Sequence, residues 1–158
     1  MKKNLFWITL LILTLSVVGI HAEDSEWLTD FEKAKQLAAE KNLPILVDFS
    51  GSDWCGWCIR LKNEVWSKDV FKTYAKENLI LFVADFPRMK KLPEKIVRQN
   101  ETLARKYGIR GLPTVLIMKA DGTVLAKSGY RPGGADAYIE HIEDILKAAR
   151  KSKDKTNL

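Results

Sequence analysis

The run Ile45-Leu46-Val47-Asp48-Phe49 constrains the fold more than any other stretch of the chain. Successive residues of a strand point to opposite faces, so a run that is apolar at odd and even positions alike must be covered on both sides. Such a strand belongs inside a sheet with helices in front of it and behind it. The flanking sequence supplies them. Trp27, Phe31, Ala34, Leu37 and Ala38 recur at helical spacing before the run, and a second helical stretch follows it to about Trp66. Only Asp48 interrupts the apolar pattern, a carboxylate where burial penalises charge. The 158 residues, 46% hydrophobic, suit one compact domain and exclude a disordered chain.

The remaining elements follow in order. A helix capped by Asp24 or Ser25 is expected to run to about Lys41, ended by Asn42 and Pro44. After the loop from Ser50 to Asp53 and the helix to Trp66, Ser67 or Asp69 restarts a helix with Val70, Phe71, Tyr74 and Ala75 on one face. Leu79 to Ala84 reads as a second buried strand, the basic segment from Asp85 to Pro93 as a loop, and Glu94 to Tyr107 as a helix closed by Gly108. Thr114 to Met118 and Val124 to Ala126 flank Asp121-Gly122, the signature of a tight hairpin. A turn at Arg131-Pro132-Gly133-Gly134 precedes a last helix, roughly 135–150, and a polar tail over 151–158. This order predicts a three-layer α/β/α sandwich around a mixed sheet.

Residues 1–22 read as a signal peptide rather than as part of the domain at 23–150. Lys2 and Lys3 precede the apolar stretch from Leu5 to Ile20, which ends at His21-Ala22 before Glu23-Asp24. That stretch is shorter than the roughly 20 residues of a membrane span. The alternatives are an uncleaved anchor, the one case in which the protein would meet a membrane, and a buried helix of the fold. Export, for instance to a periplasm, is the expected localisation. Without the two lysines of this segment the formal charge of +6 falls to +4. Those charges are dispersed, and no nucleic-acid motif accompanies them.

Two cysteines and two histidines, at 55, 58, 21 and 141, are too scattered for a structural zinc site. Cys55 and Cys58, however, sit three residues apart where a buried strand gives way to a helix. A helix N-terminus carries unpaired N–H groups and partial positive charge, so a thiolate there is stabilised and becomes nucleophilic near neutral pH. Cys55, nearest the helix start, is the expected nucleophile. Cys58 falls on the same face and can resolve a mixed disulfide on Cys55. The other readings are an inert local disulfide, two unrelated core cysteines, or a copper or zinc carrier with His141 as a third ligand.

Val47-Asp48-Phe49 with Trp54-Cys55-Gly56-Trp57-Cys58, followed by Lys106-Tyr107-Gly108-Ile109-Arg110-Gly111-Leu112-Pro113-Thr114, resembles thioredoxin over nearly the whole domain. Phe49 to Cys55, with Asp85-Phe86-Pro87 and Arg131-Pro132-Gly133-Gly134, is more similar to the exported, periplasmic oxidoreductases of the DsbH type. The resemblance implies a thioredoxin fold with Cys55 attacking and Cys58 resolving. It implies a cis bond at Leu112-Pro113 that turns the backbone of Leu112 toward an extended substrate. Gly111 and Gly129 would admit that substrate, and Trp54 and Tyr130 would line its groove. Asp48 corresponds to a buried acid beneath the resolving cysteine, a proton acceptor for Cys58 unless a lysine or water satisfies it.

Three departures from thioredoxin stand out. Asp48 precedes Cys55 by seven positions rather than six, no lysine occupies the strand from Leu79 to Ala84, and Trp57 replaces the proline between the cysteines. Gly56-Trp57 therefore leaves the redox poise open. A basic insertion from Phe86 to about Gln99 reads as a solvated loop or a partner contact. The function expected is an exported, monomeric protein-disulfide reductase. It would need no cofactor or metal beyond its own cysteine pair, and would act on protein or peptide disulfides with a thiol electron donor. The same chemistry reversed, an oxidase or isomerase, is one alternative; a metal-carrying or non-catalytic binding module is another.

Overall fold

A computed structural model describes residues 27–156, with side chains through residue 152; the expected signal segment lies outside the described residues. The elements are α1 (Phe31–Lys41), β1 (Ile45–Ser50), α2 (Gly56–Leu61), α3 (Asp69–Asn78), β2 (Ile80–Asp85), α4 (Glu94–Lys106), β3 (Thr114–Met118), β4 (Val124–Ser128) and α5 (Gly134–Thr156). The four strands lie in the order β2-β1-β3-β4. β1 pairs with β2 in parallel and with β3 antiparallel, and β3 pairs antiparallel with β4. This is the mixed sheet expected from the sequence, with β1 buried at every residue.

The period of two along β1 sorts its side chains between two cores. Ile45, Val47 and Phe49 pack with Phe31, Ala34, Phe82, Leu103 and Leu116, the layer covered by α1 and α4. Leu46 faces the other way, among Leu61, Trp66, Phe71, Ile117, Tyr138 and Ile142 from α2, α3, α5 and their neighbours. Asp48 shares the parity of Leu46 and therefore points beneath α2. Its register partners are Val83 on one side and Val115 on the other.

Three boundaries differ from expectation for physical reasons. α1 starts at Phe31, because Asp30 is its cap and accepts the Lys33 N–H at 3.2 Å. Residues 27–30, before it, are not helical, and the expected caps Asp24 and Ser25 lie outside the described residues. Leu28 instead bridges to β2, donating to the Leu81 carbonyl and accepting from the Val83 N–H, both at 2.9 Å. That contact satisfies part of an otherwise open sheet edge. α2 runs directly into a π-helical turn, Lys62–Trp66, which leaves both Val65 and Trp66 buried. α5 continues to Thr156 rather than ending near residue 150, since nothing between 151 and 156 is a glycine or proline that would stop it.

Phe82 is fully buried and meets the Phe31 ring edge-on at 5.1 Å. Phe82→Ala should cost about 3–5 kcal/mol of stability, read from the shift of the urea midpoint. Met89→Ala, at a site 79% exposed, should change it by less than about 0.5 kcal/mol.

Candidate active site

β1 ends at Ser50, and the chain turns through Gly51 to Trp54 into α2. Gly51 is tightly enclosed: a Cβ there would lie 2.7 Å from the Trp54 indole and 3.0 Å from the Cys55 Cβ. Cys55 is the cap of α2, and its Sγ accepts the Cys58 N–H at 3.3 Å. The two cysteines are joined as a disulfide with their Cα atoms 5.2 Å apart. Both cysteines are buried, Cys55 at 7% exposure somewhat less than Cys58 at 3%. Cys58 Sγ lies inward and accepts the Gly51 N–H at 3.4 Å.

Leu112-Pro113 is cis, as the resemblance implied. Thr114, the next residue, donates its hydroxyl to the Gly111 carbonyl at 2.7 Å. Gly111 is exposed, with open space where a Cβ would stand. At Gly129 the close neighbour is internal, for a Cβ there would meet the Pro113 carbonyl at 3.1 Å. Glycine thus lets the end of β4 settle against the proline loop. Trp57, 56% exposed, packs on Tyr130 at 5.0 Å between ring centres. Arg60 lies over both rings while pairing with Glu64, which also accepts the Tyr130 hydroxyl at 2.7 Å. Gly56, first residue of α2, is exposed and crowds nothing.

Asp48 has an uneven environment. One carboxylate oxygen accepts the Trp66 indole N–H at 3.1 Å, and the other is buried without a partner. Burial, the dominant effect, pushes its pKa up to about 7; the Trp66 bond opposes this and the charge of Asp85 reinforces it. Asp48, Trp66 and Cys58 line one cavity of about 510 Å³, with Lys62, Lys72 and Lys90 also contributing to its wall. The carboxylate is therefore satisfied on one side by an indole, not by the lysine that sequence reasoning weighed. Trp66 is the neighbour of Asp48 which that reasoning missed. Its only signal was a tryptophan at the buried end of the helix that starts at the cysteines.

The segment after β2 was likewise underread. Asp85 accepts the Ser52 N–H and hydroxyl at 2.9 and 2.7 Å and pairs with Lys90 at 2.8 Å. Trp54 donates its indole N–H to the Phe86 carbonyl at 2.7 Å. The basic stretch is thus tied to the loop that carries the cysteines, and α4 takes over at Glu94. His141, the candidate third metal ligand, lies on α5 and shares a hydrogen bond with the Ser128 hydroxyl at 3.1 Å. Among the described residues no three His, Cys, Asp or Glu side chains group as a metal site.

Residues 31–145 match the family model described as a thioredoxin-like domain. The disulfide bond reductase DsbH of Chlamydia pneumoniae is 32% identical over 81% of this chain and 76% of its own length. The thioredoxin-related protein DsbJ of the same organism is 26% identical over 93% of this chain, which spans 46% of DsbJ. A solved DsbH oxidoreductase superposes with a TM-score of 0.75 at 29% identity, covering 93% of this chain and 95% of that one. With a cysteine pair capping a helix beside a cis-proline, and with these matches across most of its length, the chain belongs to the thioredoxin-like family.

Proposed function

We propose that this chain is an exported thiol–disulfide oxidoreductase that reduces protein disulfides at Cys55 and Cys58. The observation that carries the reading is the asymmetry of the pair: Cys55, the slightly more exposed, caps a helix, and Cys58 lines the same cavity as a half-satisfied buried carboxylate. Export rests on the basic and apolar character of residues 1–22. The direction of electron flow draws on the relative named a disulfide bond reductase.

In the reduced protein the Cys55 thiolate, favoured by the N–H groups at the start of α2, attacks one sulfur of the substrate disulfide. The substrate S–S bond breaks, its first thiolate leaves and takes a proton from solvent, and Cys55 is held in a mixed disulfide. Cys58 then yields its proton toward Asp48 and attacks the Cys55 sulfur. The second substrate thiolate departs, and two electrons have passed from the dithiol to the substrate. A dithiol donor reverses the change in the protein. Gly111 and Leu112 offer backbone to an extended substrate beside Cys55, with Trp54, Trp57 and Tyr130 as the apolar walls. A buried acid with a pKa near 7 suits proton exchange with a thiol at neutral pH, because neither direction is strongly uphill.

Cys55→Ser should abolish insulin disulfide reduction, whereas Cys58→Ser should accumulate mixed disulfides visible on non-reducing gels. Retained turnover in the first variant would refute the nucleophile assignment. Equilibration with thiol buffers should give a potential near the about −270 mV of thioredoxin, and a value near about −120 mV would overturn the reductive direction.

Asp48 also makes a pH prediction. Its folded pKa of about 7 lies above the ordinary 3.8, so between these values the folded state holds more protons than the unfolded one. The contribution of Asp48 to stability should therefore be fully present below about pH 4 and be lost as pH rises through 7, by up to about 4 kcal/mol. Asp48→Asn should remove that loss. Urea unfolding of the oxidised proteins should show the variant similar to wild type at pH 4 and more stable by about 2–4 kcal/mol at pH 8. Its resolving step, timed by release of the second thiol in stopped flow, should slow by about tenfold, below the usual general-base contribution because solvent can accept the proton instead.

A further inference from the structure

Asp53, Trp54 and Arg88 form a unit on the rim of the site that thiol exchange itself does not require. The Asp53 carboxylate accepts the backbone N–H groups of Arg88, Met89 and Lys90 at 2.9, 2.9 and 3.2 Å. The Trp54 indole reaches the Phe86 carbonyl at 2.7 Å. The two residues before Cys55 thus clasp the segment after β2 at four points. The Arg88 guanidinium carbon, held there, lies 3.6 Å from the centre of the Trp54 ring. Stacking occupies the face of a guanidinium and leaves its in-plane N–H donors for another group.

Neighbouring cations differ in one respect. Arg60 is paired with Glu64, and Lys90 with Asp85. Arg88 engages no carboxylate among the described residues, although its backbone is fixed and its side chain is exposed. A planar, preorganised guanidinium without an anion is suited to bidentate capture of a carboxylate at little entropic cost. It stacks on Trp54, the residue that precedes Cys55, whose sulfur attacks as an anion and would otherwise repel an acidic substrate.

We infer that Arg88, stacked on Trp54 next to Cys55, is a substrate-specificity residue that receives an acidic side chain flanking the disulfide of a polypeptide substrate. The inference rests on the reductase reading above and adds the class of substrate to it. Lys91, exposed and three residues along, adds longer-range attraction of the same sign.

The test uses the full, pre-reduced chain in single turnover, so that no donor is needed. Peptides closed by one disulfide carry Glu, Gln or Lys beside the attacked cysteine. Each rate constant is divided by that of the same peptide with an uncharged dithiol, which removes the effect of the neighbour on intrinsic reactivity. The wild type should favour Glu over Gln by about fivefold at low salt, as expected for an exposed but preorganised ion pair, and Lys should be poorest. The Glu/Gln ratio should fall toward one in Arg88→Gln, recover in part in Arg88→Lys, and shrink in 0.5 M salt for the wild type. A wild-type ratio at or below one, or a ratio unchanged in Arg88→Gln, overturns the inference. If Arg88→Gln does not fold, the wild-type ratio and its salt dependence decide the matter alone. Reduction of all three peptides without charge preference defeats only the recognition by Arg88. Failure to reduce any of them defeats the reductase reading itself.

Discussion

Burial of β1 on both faces and along both edges is the constraint from which the site follows. β1 is paired with β2 and β3, and its side chains alternate between two apolar layers. That leaves a single exit for the chain, the turn at Gly51, and it sends α2 across the face on which Leu46 and Asp48 lie. Cys55 and Cys58 then fall at the start of that helix, above Asp48. Leu116 and Val115 of β3 carry the same register back toward Thr114 and the cis-proline beside it. The cysteines and the proline loop, more than fifty residues apart, come to one end of the sheet because the strand ends they adjoin pair at Phe49 and Thr114.

The buried carboxylate is the part of this arrangement that works against stability. A charge enclosed by protein is unfavourable unless matched by hydrogen bonds, and Asp48 has one, from Trp66. The π-helical turn is relevant here, since it carries Trp66 in the sequence Val65-Trp66 with both residues buried. Trp66 in turn packs against Trp27, Phe71 and Tyr138 with ring centres 4.7–5.6 Å apart. The indole that tempers the acid is therefore held by a cluster drawn from the N-terminal segment, α3 and α5. The buried acid is tempered by a packed indole rather than by a compensating lysine.

The rim follows a different logic. Its order comes from a carboxylate, Asp53, that gathers three backbone N–H groups, and from an indole bonded to a carbonyl. Such contacts cost little to form between neighbouring loops and set the position of Trp54 and Arg88 without burying either one. The opposite wall, Trp57 and Tyr130 with Arg60 and Glu64, is built from side chains alone. The cation over Trp57 and Tyr130, Arg60, is paired, whereas Arg88 over Trp54 meets no carboxylate among the described residues.

Local chemistry made much of this legible. Continuous apolar runs identified β1, β2 and β3, Asp121-Gly122 marked the hairpin, and the cysteine spacing placed both sulfurs on one helical turn. Each of those inferences depends on residues close in sequence. α1 starts later than expected because Trp27 has helical spacing to Phe31, while its actual partner, Trp66, and the edge of β2 that Leu28 joins are far along the chain. For the same reason the segment from Phe86 onward could be read only as basic and proline-bearing. Its clasp by Asp53 spans more than thirty residues. The sequence by itself determined the layered fold and the identity of the reacting pair, since periodicity and spacing are local properties of the chain. Only the tertiary structure decided what surrounds that pair: an indole rather than a lysine against Asp48, and, stacked on Trp54, an arginine with no carboxylate partner among the described residues. Hydrogen bonds and stacking between distant segments depend on how the elements pack, and no local pattern encodes them.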